Sequence, residues 1–191
     1  MNENLTIETE RLILRRWKLT DADDLVEGLN NINVSKWQSH TPYPYTKDDA
    51  IAFINKAIDT KAYFFAVVYK ENNKVIGGVQ IRNIDLEQGT ASGGIWINED
   101  YQGIGIGKET WGARIKYAFE YLNLRRLENG FFEGNERSFK MQEYFGYKLE
   151  GVRRQKYKSL ATGKISDECV TGLLRSEWLH QDYPSIIVNE K

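Results

Sequence analysis

Three glycines at alternate positions, Gly103, Gly105 and Gly107, are the residues of this 191-residue chain whose type and spacing point most directly to chemistry. They follow an apolar run, Ile95-Trp96-Ile97, and a polar turn, Asn98-Glu99-Asp100, and they precede a stretch of helical periodicity. A glycine tolerates φ > 0 and puts no side chain between its N–H and a ligand. Where a helix begins, free N–H groups lie at the positive end of the helix dipole and favour a bound phosphate. The pattern therefore implies a phosphorylated cofactor. Other chemistries have less support. Cys169 is the single cysteine, so one chain offers neither a disulfide framework nor a thiolate zinc site. His40 and His180 are far apart and lack metal-ligand spacing, so no metal is expected.

Three phosphate-binding patterns compete for the loop. A dinucleotide fingerprint needs Gly-x-Gly-x-x-Gly inside a strand-helix-strand unit, and here the third glycine comes one residue early. A nucleotide-hydrolase loop needs Gly-x-x-x-x-Gly-Lys and then Ser or Thr, but Gly107-Lys108 is followed by Glu109. The third pattern, Gln/Arg-x-x-Gly-x-Gly/Ala, is met by Gln102-Gly103-Ile104-Gly105-Ile106-Gly107.

The elements that must position this loop read as follows. Residues 7–16 form a first strand, and Thr20 caps a helix whose apolar face is Leu25, Val26 and Leu29. Residues 31–45, with Trp37, His40, Tyr43 and Tyr45, read as a loop or broken helix whose rings either line a pocket or pack on the core. Thr46 caps a second helix, with Asp49 at the capping-box position. Tyr63–Tyr69, Val75–Ile81 and Thr90–Asn98 read as an antiparallel meander, with bulges or close packing at the pairs Gly77-Gly78 and Gly93-Gly94. Trp111, Ile115, Ala118, Phe119 and Leu122 mark a helix ending near Asn123. Leu124–Phe132 reads as a strand, then a turn at Gly134–Ser138 opens a short helix that stops at Gly146. Tyr147–Val152 and Cys169–Leu174 read as final strands joined by a polar excursion, and the tail from Gln181 has no pattern.

With 41% hydrophobic and 28% charged residues, the composition is that of one soluble domain over 1–191, with its core at about 7–180. A net charge of -1 argues against bulk nucleic-acid or membrane affinity. No apolar run approaches a membrane span and no signal peptide is apparent, which makes the cytoplasm the expected location.

At this point the sequence resembles the GNAT acetyltransferase superfamily, in particular its RimJ/RimL-type branch. Besides the loop, the likeness rests on Glu8-Thr9-Glu10-Arg11-Leu12-Ile13-Leu14-Arg15, Tyr117-Ala118-Phe119-Glu120, Asn135-Glu136-Arg137-Ser138 and Phe145-Gly146-Tyr147-Lys148-Leu149-Glu150-Gly151, in the expected order. The resemblance implies an α/β (α+β) acyl-CoA N-acyltransferase fold, with a mixed, mostly antiparallel sheet of about seven strands and about four helices. It implies transfer of an acetyl group from acetyl-CoA to an amine. The acceptor it points to is a protein α-amine; a small amine, such as a polyamine or an antibiotic, and a non-catalytic CoA sensor are the alternatives. A homodimer is left open.

By that resemblance, Gln102, Gly103, Ile104, Gly105, Ile106, Gly107 and Lys108 cradle the pyrophosphate. Trp96, Ile97 and Asn98, on a strand that splays from its neighbour, pair with the pantetheine arm. Asn135 hydrogen-bonds the pantetheine chain. Independently of the resemblance, Arg137 and Lys140, near the start of the same helix, are the basic residues expected to meet the nucleotide's phosphates. Many members place an acidic Tyr before the closing Gly-Phe turn, where this chain has Gln142, and Ser138 is the replacement expected to meet the sulfur. Glu99, Glu133, Asp167 and Glu168 are the carboxylates expected near the site as general base, with Glu99 and Glu168 put forward. Trp37, Tyr43 and Tyr45 are the expected acceptor wall, and the acids Asp21, Asp23, Asp24 and Glu27 of the first helix are a second means of attracting a cation.

Overall fold

The computed structural model describes residues 4–60, 62–178 and 183–190; His180 and Gln181 fall outside them. Its strands are β1 (Thr6–Glu8), β2 (Leu12–Arg16), β3 (Tyr63–Tyr69), β4 (Val75–Asp85), β5 (Thr90–Ile97), β6 (Arg126–Phe132), β7 (Lys148–Lys158), β8 (Ile165–Leu174) and β9 (Ile187–Asn189). They form one sheet in the order β7-β8-β6-β5-β4-β3-β2-β1-β9. The helices are α1 (Ala22–Leu29), α2 (Ile32–Ser35), α3 (Lys47–Asp59), α4 (Ile106–Lys116) and α5 (Glu136–Tyr144). This is the expected mixed sheet, with nine strands and five α-helices among the described residues instead of about seven and four.

Alternation along the strands divides the core in two. Phe65 and Val67 of β3 face α4 with Leu14, Val79, Trp111 and Ile115, whereas Ala66 and Val68 face α1 and α3 with Trp17, Leu25, Ile54 and Trp96. Ile54 is fully buried, and Ile54→Ala would cost about 2–5 kcal/mol through lost transfer energy and an unfilled cavity.

Local chemistry explains where the structure departs from the pattern. The expected first strand is two: Thr9 N–H donates to Leu12 O and Leu12 N–H to Thr9 Oγ1, closing a turn between β1 and β2. Thr20 does not cap α1. Asp21 closes a short turn by accepting from Lys18 N–H and anchors it through two bonds from Arg15 at 2.8 Å. Thr46 and Asp49 do form the expected capping box of α3. The polar excursion after Val152 continues the last hairpin, since β7 reaches Lys158 and β8 starts at Ile165. The tail contributes β9, which pairs with β1 through Ile187 to Asn189.

All neighbouring strands are antiparallel except β5 and β6, and their parallel pairing is brief. It covers Thr90↔Arg126, Ala91↔Leu127 and Ser92↔Glu128. Beyond it, among the described residues, Gly93–Ile97 stays paired to β4 alone and Asn129–Phe132 to β8 alone, so the strands part into a fork. α4 leaves from the open end of β5 and α5 from the open end of β6.

Candidate active site

The loop after β5 is held from three sides. Gly103 and Gly105 take φ of +83° and +87°, a region that costs other residues roughly 1–2 kcal/mol. Gln102 Nε2 donates to Ile97 O at 2.8 Å, and Gln102 Oε1 accepts from Arg137 of α5, a link across the mouth of the fork. From below, Arg11 Nη1 donates to Ile104 O at 2.9 Å while its Nε meets Glu109 Oε2 at 2.7 Å. Glu109 Oε1 also accepts from Thr9 Oγ1 and Arg11 N–H. Burial pushes the Glu109 carboxyl up, but these donors outweigh it and hold the group below the usual carboxylate range. Glu109, which excluded a nucleotide-hydrolase loop, is thus the strut under this one.

Among the described residues no side chain caps α4, whose N-cap is Gly105. The first N–H groups of a helix have no intrahelical partners, so this end is an open anion site. Among the described residues nothing lies within 4 Å of where a Cβ on Gly103 would stand. Lys108 is close by, although its ammonium rests 3.6 Å from the centre of the Tyr144 ring. On β5, Asn98 N–H donates to Ile76 O of β4. Ladder alternation then turns the N–H groups of Ile97 and Ile95 the other way, into the fork. Asn98 Oδ1 accepts from Asp100 N–H, and Trp96 packs its ring toward Gly28 and Gly78. An uncapped helix start beside unpaired strand edge matches a phosphorylated cofactor with an extended amide-bearing arm.

Across the fork, Asn135 Oδ1 caps α5 by accepting from Ser138 N–H at 3.2 Å. Gln142, buried at 1% exposure, donates through Nε2 to Ser138 Oγ at 2.9 Å and accepts at Oε1 from Thr171 Oγ1. With a lone pair engaged by Gln142, the Ser138 hydroxyl keeps its own proton for another acceptor. Gln142, where an acidic Tyr was looked for, orients Ser138.

The opposite face of the fork carries Glu168. Its Oε1 accepts from Tyr157 Oη at 2.7 Å and its Oε2 from Arg153 Nη1 at 3.1 Å. Gly130 makes room for it, since a Cβ there would fall 2.1 Å from Glu168 Oε1. Tyr157 stacks on Phe132 with ring centres 4.6 Å apart, and Phe132 meets Trp37 edge-on at 6.3 Å. Burial, followed by the bond to Glu168, raises the Tyr157 phenol well above its ordinary value and keeps it a neutral donor.

Several expected residues lie elsewhere. Tyr45 is buried with Ala50 and Ile54 in the α1–α3 core. Tyr43 is 45% exposed. Glu99 accepts from Asn31 and Asn33, which hold it below the usual carboxylate range and weaken it as a base. Asp167 Oδ1 accepts from Gln155 N–H. Burial pushes the Cys169 thiol up and nearby carboxylates add to this, so it carries little thiolate. The acids of the first helix are engaged by neighbours: Asp21 by Arg15, Asp23 by Lys47, Asp24 by Val75 N–H and Glu27 by Lys74. Gly130, Phe132, Tyr157 and Thr171 were not anticipated. A glycine inside the strand of residues 124–132 was the available signal.

Comparison with known proteins fits this geometry. Residues 11–148, more than half of the chain, match the acetyltransferase (GNAT) domain family. The chain belongs to the GNAT family and is an acetyl-CoA-dependent N-acetyltransferase. It is 32% identical over 176 residues to the uncharacterized N-acetyltransferase p20 of Bacillus licheniformis, covering 91% of this chain and 98% of that one. A Vibrio cholerae structure, provisionally titled a ribosomal-protein-serine acetyltransferase, superposes with a TM-score of 0.77 at 27% identity, covering 91% and 99%. The microcin C7 self-immunity acetyltransferase MccE, solved with acetyl-CoA and AMP, has the same fold, with a TM-score of 0.76 at 24% identity over 86% and 93%.

Proposed function

We propose that this enzyme acetylates the α-amine of a protein or peptide and that the acceptor reaches the fork from the face bearing Glu168. The carrying observation is the carboxylate of Glu168, buried at 6% exposure and set over Gly130 just beyond the last β5–β6 pair. The likeness to the Vibrio cholerae protein, 27% identical and provisionally named a ribosomal-protein-serine acetyltransferase, supports a ribosomal-protein type of acceptor.

An amine attacks only as the neutral base, because an ammonium has no lone pair. Glu168, hydrogen-bonded to Tyr157 and Arg153, takes the proton, directly or through one water. Trp37 and Phe132 form the apolar wall beside the amine. On the donor face, backbone N–H groups of residues 103–108 hold phosphate, with Arg137 and Lys108 near them, and Ile95 and Ile97, whose N–H groups face the fork, hold the arm, whereas Trp96 and Asn98 turn theirs to β4. Acetyl-CoA, when bound, supplies an activated acetyl group on sulfur. Ser138 Oγ accepts from Gln142, which leaves its own hydroxyl proton to be given to the departing sulfur.

The test is a mass-shift and thiol-release screen over peptides with free or blocked α-amines and over small polyamines. Acetyl gain on free α-amines alone is expected. Acetylation of polyamines with no peptide modified would move the acceptor to the small-molecule class.

A further inference from the structure

Arg114 lies in the third turn of α4 and is 1% exposed. Its Nε donates to Gln80 O at 2.9 Å, its Nη1 to Tyr147 Oη at 3.3 Å, and its guanidinium sits 4.8 Å from the centre of the Trp111 ring. Nη2 has no partner among the described residues, and no carboxylate pairs with this side chain there. Burying a charge without a counter-charge costs several kcal/mol. The position falls in the apolar stripe Trp111, Ile115, Ala118, where a leucine or methionine would pack without that penalty.

The place of this charge is specific. A Cβ on Gly93 would fall 2.7 Å from Arg114 Nη2, and Gly93 is the first β5 residue past the last pair, Ser92↔Glu128. Asn129, the first β6 residue past the same pair, keeps a buried Oδ1 that is also unpartnered among the described residues. Two unsatisfied polar atoms thus flank the closed end of the fork, and one belongs to a full positive charge.

We propose that Arg114 is the counter-charge for the negative charge that acyl transfer places on the donor's sulfur. This rests on the reading of the fork as the seat of the donor arm. In the reaction the amine nitrogen bonds to the acetyl carbon and the carbon–sulfur bond breaks. Its electron pair stays on sulfur, and the proton shed by nitrogen passes to the base. Among the described residues no other guanidinium or ammonium is buried as deeply. A cation held there lowers the energy of the thiolate throughout, so the product thiol should itself ionise more readily when bound.

That consequence is measurable without turnover. Calorimetric affinities of free CoA and of desulfo-CoA, which lacks the thiol, are compared from about pH 6 to about pH 9. A free thiol titrates near about 8.5. If Arg114 favours the thiolate, the affinity ratio of CoA to desulfo-CoA climbs with pH, starting below that value, by about tenfold for each unit by which the bound thiol is lowered. Arg114→Met should flatten the climb and Arg114→Lys, which keeps the charge but not the fork of hydrogen bonds, should retain part of it. Should Arg114→Met fail to fold, Arg114→Gln takes its place. A ratio flat with pH in the unmodified enzyme overturns the proposal. So does an equal loss in the Met and Lys variants, which marks Arg114 as a brace between α4 and β4. If neither CoA nor desulfo-CoA binds at any pH, the underlying assignment of the donor site fails instead.

Discussion

The two sides of the fork are built from different material. The donor side is backbone: an uncapped helix start, two glycines at positive φ and a strand edge turned away from its sheet. Its side chains, Gln102, Arg11 and Glu109, act mostly on the loop that holds those groups. The acceptor side is side chain: Glu168 from β8, Tyr157 from β7, Phe132 from β6 and Trp37 from beyond α2. Backbone recognition tolerates no side chain in the wrong place, whereas side-chain recognition can change one residue at a time. The donor side should therefore break in binding and the acceptor side in turnover.

Substitution at the loop has the largest expected effect. Gly105→Glu must adopt φ near +87° and puts a carboxylate into an anion cradle. Acetyl-CoA affinity by calorimetry should fall on the order of 100-fold or more, with the circular-dichroism spectrum unchanged. Glu168→Gln should lower kcat by roughly 100-fold, the lower range for a general base, and leave that affinity unaltered. Equal losses in both quantities would erase the distinction between the two sides. Gln142→Leu releases Ser138 and Thr171 while filling similar space. A fall in kcat of about tenfold with an unchanged KM for acetyl-CoA is expected, and a loss confined to KM would remove Ser138 from the leaving-group step.

The smallest effect is on stability. Glu109 has its folded-state carboxyl held below the unfolded value, so its contribution is present above the unfolded value and is lost as pH falls through the folded one. Glu109→Gln should cost about 1–3 kcal/mol at neutral pH in urea unfolding, and the difference from the unmodified enzyme should shrink below about pH 4. A constant difference across that range would mean that the strut does not act through its charge.

The same contrast decides how much could be read from the sequence. The meander, the glycine loop and the α3 cap were legible because each is a local pattern: alternation, glycine spacing, and Thr46 with Asp49. The length of β7 was not, since this edge strand is exposed along almost all of its course and carries Arg153, Arg154, Lys156 and Lys158 in place of apolar alternation. Tyr45 has the ring expected of a pocket wall, yet it fills the core, because burial depends on partners such as Ala50 and Ile54 that a loop sequence does not announce. Glu168 was one carboxylate among four. What sets it apart is Gly130, 38 residues earlier, whose missing side chain leaves room for it. Gln142 departed from the family pattern, and its use became plain only once Thr171 and Ser138 stood on either side.

The most direct measurement is residue-resolved hydrogen exchange of the enzyme alone, with CoA, and with CoA plus an acceptor peptide. CoA should protect the amides of Ile95, Ile97 and residues 103–108 and leave the β7–β8 hairpin unchanged until the peptide is added. Protection of the hairpin by CoA, with the fork amides exchanging as before, would contradict a donor seated between β5 and β6.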